Sequence, residues 1–294
     1  MPTDTENLIL AFDLGGASVK AQLFQQLPTR VVAVGLLITH PSHADGSPIE
    51  ILDAVTNAGY QAVADAGASI NLLSRLAAAV PGPFDFDCGC FKREHRKYHS
   101  LYGVDFAAML GGDFGVPISF VGDMDAMAYG VLAEPSLSFV RDSNVLVVSL
   151  GTNMAQAEIA NGEVVTPDKI TDKNWNEAAR NTVETADDIE LVYLSRWVTT
   201  RFGVPPNQLA YAAKIDDPFA LDAYNEIGDA IGRSVSSFIE TTPADHVVFT
   251  GGMAKSFHLM ASSINAALPA SVATHALDPS PSTKGAILAI NQRG

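Results

Sequence analysis

The sequence predicts an α/β fold of two lobes, and three observations carry that prediction. An apolar run ends in a glycine turn at three places: Leu8 to Leu14 before Gly15-Gly16, Val145 to Leu150 before Gly151, and Val247 to Thr250 before Gly251-Gly252. The order strand, glycine turn, strand opens each half of the chain, as though one unit had been built twice. The 294 residues, 47% of them hydrophobic and 17% charged, suffice for two compact cores and are too apolar for a disordered chain.

In chain order, Leu8 to Leu14 reads as a strand and Val19 to Phe24 as its hairpin partner, with Val31 to Ile38 a third β-branched run. Ile49, Leu52, Val55, Ala58, Ala62 and Val63 recur at helical spacing. Ile70 to Val80 is an apolar strand stopped by the stiff turn Pro81-Gly82-Pro83. Leu101 to Leu110 predicts a short helix closed by Gly111-Gly112, and Val116 to Val121 a strand that delivers Gly122-Asp123. Val145 to Leu150 and Ala155 to Ala160 form a second hairpin, turned at Asn161-Gly162. Asn174 to Thr200 predicts a helix with Leu191, Leu194 and Val198 on one stripe and Trp197 beside it. Tyr224, Ile227, Ile231, Val235 and Phe238 mark another. Val247 to Thr250 is a strand, Ser256 to Leu268 a helix, and Lys284 to Ile290 a terminal helix. The expected lobes are 1–121 and 122–280, with 281–294 packing back toward the first.

Composition excludes several function classes. A formal charge of −15 repels a phosphate backbone, so no nucleic-acid partner is expected. One basic run, Lys92-Arg93-Glu94-His95-Arg96-Lys97, interrupts that balance and reads first as a solvated loop, second as a contact for a phosphorylated substrate or a partner. No apolar stretch approaches the length of a membrane span, and the polar, acidic start lacks the pattern of a secretory signal. A cytoplasmic location is therefore expected. Cys88 and Cys90 are tightly spaced for a disulfide. Two reduced thiols in a loop are expected, the other reading being a local Cys2His2 zinc site with His95 and His99.

The residues at the glycine turns suit phosphate chemistry. A carboxylate at the end of an apolar strand, Asp13, needs a cation or several donors; Mg²⁺ accepts one such carboxylate together with phosphate oxygens. The alternative is an aspartate capping its own turn. Gly15 and Gly16 permit close approach of main chain to phosphate, and Lys20 adds charge or is a surface lysine. Asp123 follows a short strand and starts a helix of small residues. It can take the proton of a substrate hydroxyl as a phosphoryl group arrives, or cap the helix. Gly151 and Thr152 offer amides and a hydroxyl to outer phosphates, or form a tight hairpin. Gly251 and Gly252 would let adenine and ribose lie against the backbone.

Together these segments resemble the ROK group of bacterial sugar kinases and their repressor relatives, within the actin-like ATPase (ribonuclease H-like) superfamily. Asp13-Leu14-Gly15-Gly16-Ala17-Ser18-Val19-Lys20 resembles the family's Asp-x-Gly-Gly-Thr-x-x-Lys phosphate loop, and Val80-Pro81-Gly82-Pro83 its sugar-side turn. Gly122-Asp123-Met124-Asp125-Ala126 is similar to its Asn-Asp-Ala-Asn-Ala segment, Leu150-Gly151-Thr152 to its second phosphate loop, Val248-Phe249-Thr250-Gly251-Gly252 to its adenosine segment, and Gly285-Ala286 to its C-terminal helix. The resemblance implies a two-lobed fold with a central nucleotide cleft, ATP and Mg²⁺ as cofactors, and a hexose or hexose derivative as substrate, phosphorylated at O6. It implies Asp123 as base, Asp13 at the metal, and Pro81, Gly82, Gly122 and Asp125 on the sugar side. A homodimer also follows. No DNA-binding domain precedes Asp13, which resembles the kinase branch. The chain departs from the family after the second hairpin. Val165 to Glu177 contains neither the Gly-Glu-x-Gly-His segment that holds sugar hydroxyls nor the zinc motif that follows it, and Asn153 and Gln156 stand where glycines are usual. That departure carries the rival expectation of a weak or inactive member that binds sugar or nucleotide as a sensor or partner.

Overall fold

The computed structural model describes residues 7–92, 97–165 and 193–293. The chain divides into two units, the first built from residues 1–133 together with 281–294, the second from 134–280.

In the first unit β1 (Leu8–Leu14), β2 (Ser18–Gln26), β3 (Val31–Ala33) and β4 (Ile38–Pro41) precede helix α1 (Pro48–Asp65). Then come β5 (Leu73–Val80), the short hairpin β6 (Phe84–Asp85) and β7 (Cys90–Phe91), α2 (Phe106–Phe114), β8 (Ile118–Gly122) and α3 (Asp123–Leu132). The sheet order is β3-β2-β1-β5-β8, with β4 also on β2; β1, β5 and β8 are parallel and the rest antiparallel. β1 is buried on both faces, and successive side chains alternate between them. Leu8, Leu10, Phe12 and Leu14 join the core that contains α1 residues, whereas Ile9 and Ala11 meet Ala286, Ile287 and Ala289 of the C-terminal helix (Ser282–Arg293). Asp13 follows Ile9 and Ala11 in that alternation and so faces the C-terminal helix.

Several elements differ from the sequence reading. The run Val31 to Ile38 is two short strands rather than one. The apolar run from Ile70 begins with a 3₁₀ turn, Ile70–Leu72, before β5. Helix α1 starts on a capping box between Ser47 and Glu50, which fixes its phase; its buried stripe begins at Ile51, and Ile49 is 68% exposed. Helix α2 starts later than expected because the Asp105 side chain accepts from the Ala108 amide. It runs through Gly111-Gly112 and stops at Gly115, whose φ of 67° is the left-handed terminator. The unit boundary falls after Ala133, not after Val121, because α3 packs along the C-terminal helix: a methyl on Gly285 would collide with the Ala126 carbonyl, and one on Gly130 with Pro281.

Cys88 and Cys90 form a disulfide, which corrects the expectation of two thiols and removes both from any zinc site. Gly89, at φ 70°, folds the intervening residue so that the two Cα atoms lie 5.6 Å apart, inside the ordinary disulfide range. Among the described residues no group of three or more His, Cys, Asp or Glu could hold a metal ion.

The second unit repeats the strand order. β9 (Asn144–Leu150), β10 (Met154–Ala160), β11 (Glu163–Val165), β12 (His246–Thr250) and β13 (Ala273–Ala276) form a sheet of order β11-β10-β9-β12-β13, antiparallel on the hairpin side and parallel across β9, β12 and β13. Asn161 and Gly162 turn the second hairpin with φ of 49° and 81°. Helices α4 (Leu194–Phe202), α5 (Pro206–Ala213), α6 (Pro218–Thr241) and α7 (Phe257–Ala267) contribute to its core, where Leu194, Val198, Tyr224, Ile227, Ile231 and Val235 are buried. The expected helix from Asn174 lies outside the described residues as far as 192. No helix among the described residues is long and apolar enough to cross a membrane.

Candidate functional site

In the first unit the three parallel strands bring the predicted groups to one sheet edge. Asp13 pairs with Ala79 across β1 and β5, and Val80 pairs with Gly122 across β5 and β8. Asp13, the turn Pro81-Gly82 and the pair Gly122-Asp123 therefore leave adjacent strands at their carboxyl ends, the edge at which parallel α/β sheets bind ligands. Gly82 has an open face: a Cβ there would meet nothing within 4 Å.

Asp13 is 7% exposed, and one of its oxygens, Oδ2, takes two donors. Lys20 Nζ lies 2.8 Å away, reaching across from the directly paired position on β2, and Ser282 Oγ donates at 2.6 Å from the start of the C-terminal helix. Oδ1 accepts no hydrogen bond from the described residues, which suits a single-carboxylate magnesium site completed by phosphate oxygens. The Gly15-Gly16 turn is pinned through one of its amides and both of its carbonyls. Gly15 N–H donates to Ser18 O at 2.9 Å, Tyr98 Oη donates to Gly15 O at 2.7 Å, and Ser42 Oγ donates to Gly16 O at 2.7 Å.

Asp123 is the first residue of α3; Gly122 occupies the N-cap, and Asp123 Oδ1 accepts from the Met124 amide at 2.9 Å. Burial pushes the Asp123 carboxyl up to about 6, and the neighbouring Asp13 charge adds to the rise. The Lys97 ammonium and the Met124 amide oppose it, and Asp125 contributes in the same sense as Asp13. Asp125 turns back toward Gly122: a Cβ at 122 would lie 3.6 Å from Asp125 Oδ2 and 3.9 Å from the Phe86 ring, ordinary contacts that a methyl would just fill. Two further acidic residues of this unit hold local structure. Asp105 caps α2, and Asp85 accepts from the Cys88 and Asp87 amides in its own turn, which holds its carboxyl below the usual range.

Three residues were not legible as site groups. Lys97, the last of the basic run, does not simply extend into solvent as that reading expected. Burial lowers its pKa, while Asp123 and Asp13 raise it. Tyr98 and Ser282 meet Gly15 and Asp13 across 83 and 269 residues of chain, separations that no local pattern encodes.

In the second unit the other predicted glycines also converge. Thr250 pairs with Ser149 on parallel β12 and β9, so the turns Gly151-Thr152 and Gly251-Gly252 emerge side by side. Gly251 adopts φ 93° with its missing Cβ 2.7 Å from the Leu150 carbonyl, and so only glycine fits there. Gly252 has nothing within 4 Å of a Cβ position and opens a 3₁₀ turn leading to α7. The Thr152 carbonyl accepts from the Ser195 amide at 3.1 Å, near the start of α4.

No protein-family model and no curated protein matches the chain. Solved structures do. The chain aligns over 98% of its length with the whole of an inorganic polyphosphate/ATP-glucomannokinase from Arthrobacter sp. strain KM, at 17% identity and a TM-score of 0.67. It aligns equally fully with a ROK family glucokinase from Streptomyces griseus, solved in complex with glucose and AMPPNP, at 17% identity, 98% coverage of this chain, 100% of that one and a TM-score of 0.65. A ROK family transcriptional regulator, a homologue of the E. coli MLC protein, matches 97% of this chain and 78% of its own at 15% identity and a TM-score of 0.62. The repeated sheet order and these full-length alignments give the protein the actin-like ATPase fold.

Proposed function

We propose that the protein transfers the terminal phosphoryl group of ATP to a hydroxyl of a hexose or hexose derivative, at O6. The observation that carries this reading is the pair of carboxylates at one sheet edge, Asp13 engaged by a lysine and a serine and Asp123 raised by burial to about 6, a value that suits a general base. Sugar kinases among the structures of the same fold support it.

In this reading Asp123, at the head of α3, accepts the proton of the sugar hydroxyl. Pro81, Gly82, Gly122 and Asp125 line the sugar side, where Gly82 has an open face. Gly15 and Gly16 receive donor phosphates, Lys20 steadies Asp13, and Gly151, Thr152, Gly251 and Gly252 are the nucleotide-binding groups of the second unit. Asp13 would hold Mg²⁺ through Oδ1; the ion would neutralise phosphate charge. Phosphoryl transfer of this kind rests on positioning and electrostatics and needs no covalent intermediate. The cytoplasm and a homodimeric assembly go with the reading.

A second reading, a sugar- or nucleotide-binding sensor without turnover, is favoured by one observation: the segment after β11 lacks the glutamate and histidine with which the resembled family holds sugar hydroxyls. ADP release measured across hexoses, amino sugars and N-acetylated sugars separates the two. Sugar-dependent ADP formation is expected, falling by about 100-fold or more in Asp123→Asn while nucleotide binding persists. Sugar binding without ADP formation in the wild-type protein would support the sensor instead.

A further inference from the structure

We propose that Lys97 is a phosphate-binding residue of this site, its ammonium lying over Gly16 to receive the terminal phosphoryl group of the donor. The inference rests on the sugar-kinase reading and adds a group that the phosphate-loop pattern does not contain.

The geometry is local and specific. A Cβ built on Gly16 would lie 2.6 Å from Lys97 Cε, 2.8 Å from Cδ and 3.1 Å from Nζ, so the lysine stem crosses the bare face of the second loop glycine. The next residue anchors it there. Tyr98 is buried, adopts a left-handed φ of 62°, donates its hydroxyl to Gly15 O at 2.7 Å and its amide to Ala44 O at 2.6 Å. Ser42 ties the other loop carbonyl, that of Gly16. Lys97 is thus attached to the turn by its neighbour rather than draped across it by chance.

The charge pattern gives the arrangement its purpose. Asp13 and Asp123 both raise the pKa of Lys97, and the lysine in turn counters the rise of Asp123. A triphosphate brought to this edge adds negative charge to two acidic side chains, and a cation on the loop's open face offsets that charge where it concentrates during transfer. A long stem over a glycine lets the ammonium move with the phosphoryl group while its backbone stays fixed. The glycine at position 16 then has two roles: approach of the donor, and passage for this side chain.

The test compares wild type, Lys97→Met and Lys97→Arg, with thermal melts to confirm folding. The readouts are the KM for MgATP, the KM for sugar, kcat, and calorimetric binding of AMPPNP and of inorganic tripolyphosphate. Lys97→Met is expected to lower kcat/KM for ATP about 100-fold and to weaken both phosphate ligands about tenfold, with the sugar KM unmoved and most of the loss recovered in Lys97→Arg. Gly16→Ala, whose methyl would meet the lysine stem on the face by which the donor approaches, is expected to give a donor-selective loss as well. If Lys97→Met does not fold, Lys97→Gln takes its place. Unchanged donor parameters in a wild type that turns over, or a loss confined to the sugar KM, would overturn the proposal and leave the kinase reading intact. A wild-type protein that neither binds AMPPNP nor releases ADP with any sugar would remove both.

Discussion

Asp123 is a carboxylate whose charge the fold opposes, first by burial and then by the negative Asp13 beside it, against the partial relief of Lys97 and the Met124 amide. Its pKa of about 6, compared with an ordinary 3.8, has two consequences of opposite sign. In its proposed role as base it works only when ionised, so sugar-dependent kcat/KM should fall about tenfold per pH unit below about 6 and level off above it; an acid limb near 4 would show that the reaction does not use a raised Asp123 pKa. For stability the proton is held more tightly in the folded state than in the unfolded one. The contribution is fully present below the unfolded value and is lost as pH rises through about 6, where the ionised group costs on the order of 3 kcal/mol. Asp123→Asn should therefore raise Tm by several degrees at pH 7.5, with the gap much smaller at pH 4.5 and closed only below the unfolded value; an equal gap at pH 7.5 and 4.5 would show that the charge is not the cause. Asp13 and Asp123 could be located from sequence because each stands where an apolar strand stops beside glycine. Lys97, Tyr98 and Ser282 could not, because their partners are set by tertiary approach. Lys97 carried one signal, its place at the end of the basic run, but charge in a sequence does not say which way a side chain points.

Among the elements, the contact between α3 and the C-terminal helix governs the most. Gly130 and Gly285 let the two backbones approach so closely that a methyl on either meets a main-chain or proline atom. The same approach sets Ser282 against Asp13. Gly285→Ala must separate the helices, at a cost of roughly 1–3 kcal/mol or more, and should draw Ser282 away from the carboxylate. A lower Tm together with reduced turnover is expected, checked by calorimetry and the ADP assay on the same preparation; wild-type stability would mean that the helix pair can slide without loss. Helix and strand types were legible wherever the apolar period was long, as in β1, β5, β9 and α6. Boundaries followed local chemistry that periodicity does not register: the Ser47–Glu50 box moved the stripe of α1, and the Asp105 cap with left-handed Gly115 moved α2. The disulfide was misread for a similar reason. Spacing alone makes Cys-x-Cys look too tight, whereas a left-handed glycine between the two closes it.

For the whole molecule, the internal duplication was the most legible feature, because a strand-turn-strand pattern survives in sequence even where side chains diverge. Its topological counterpart is the matching order of the two sheets, β3-β2-β1-β5-β8 and β11-β10-β9-β12-β13. The division of the chain was less legible, since the first unit is completed by a segment that follows the entire second unit. That path makes a prediction. Without the C-terminal helix, Ile9, Ala11, Ala77, Ala79 and Val121 lose Ala286, Ile287 and Ala289, and Asp13 loses its serine donor. Burial of one isoleucine and two alanines is worth about 3–5 kcal/mol, a large share of the roughly 5–15 kcal/mol by which a typical domain is stable. A chain ending at Ser280 should therefore lose the cooperative melt of the first unit and become protease-sensitive within residues 7–133, while fragments from 134–280 survive the same digestion. Supplying residues 281–294 as a separate peptide should restore protection, because the missing surface is a single helix face. Uniform digestion of both units would show instead that they fold as one cooperative body, and equal resistance in the truncated and intact chains would show that the sheet holds without its last helix.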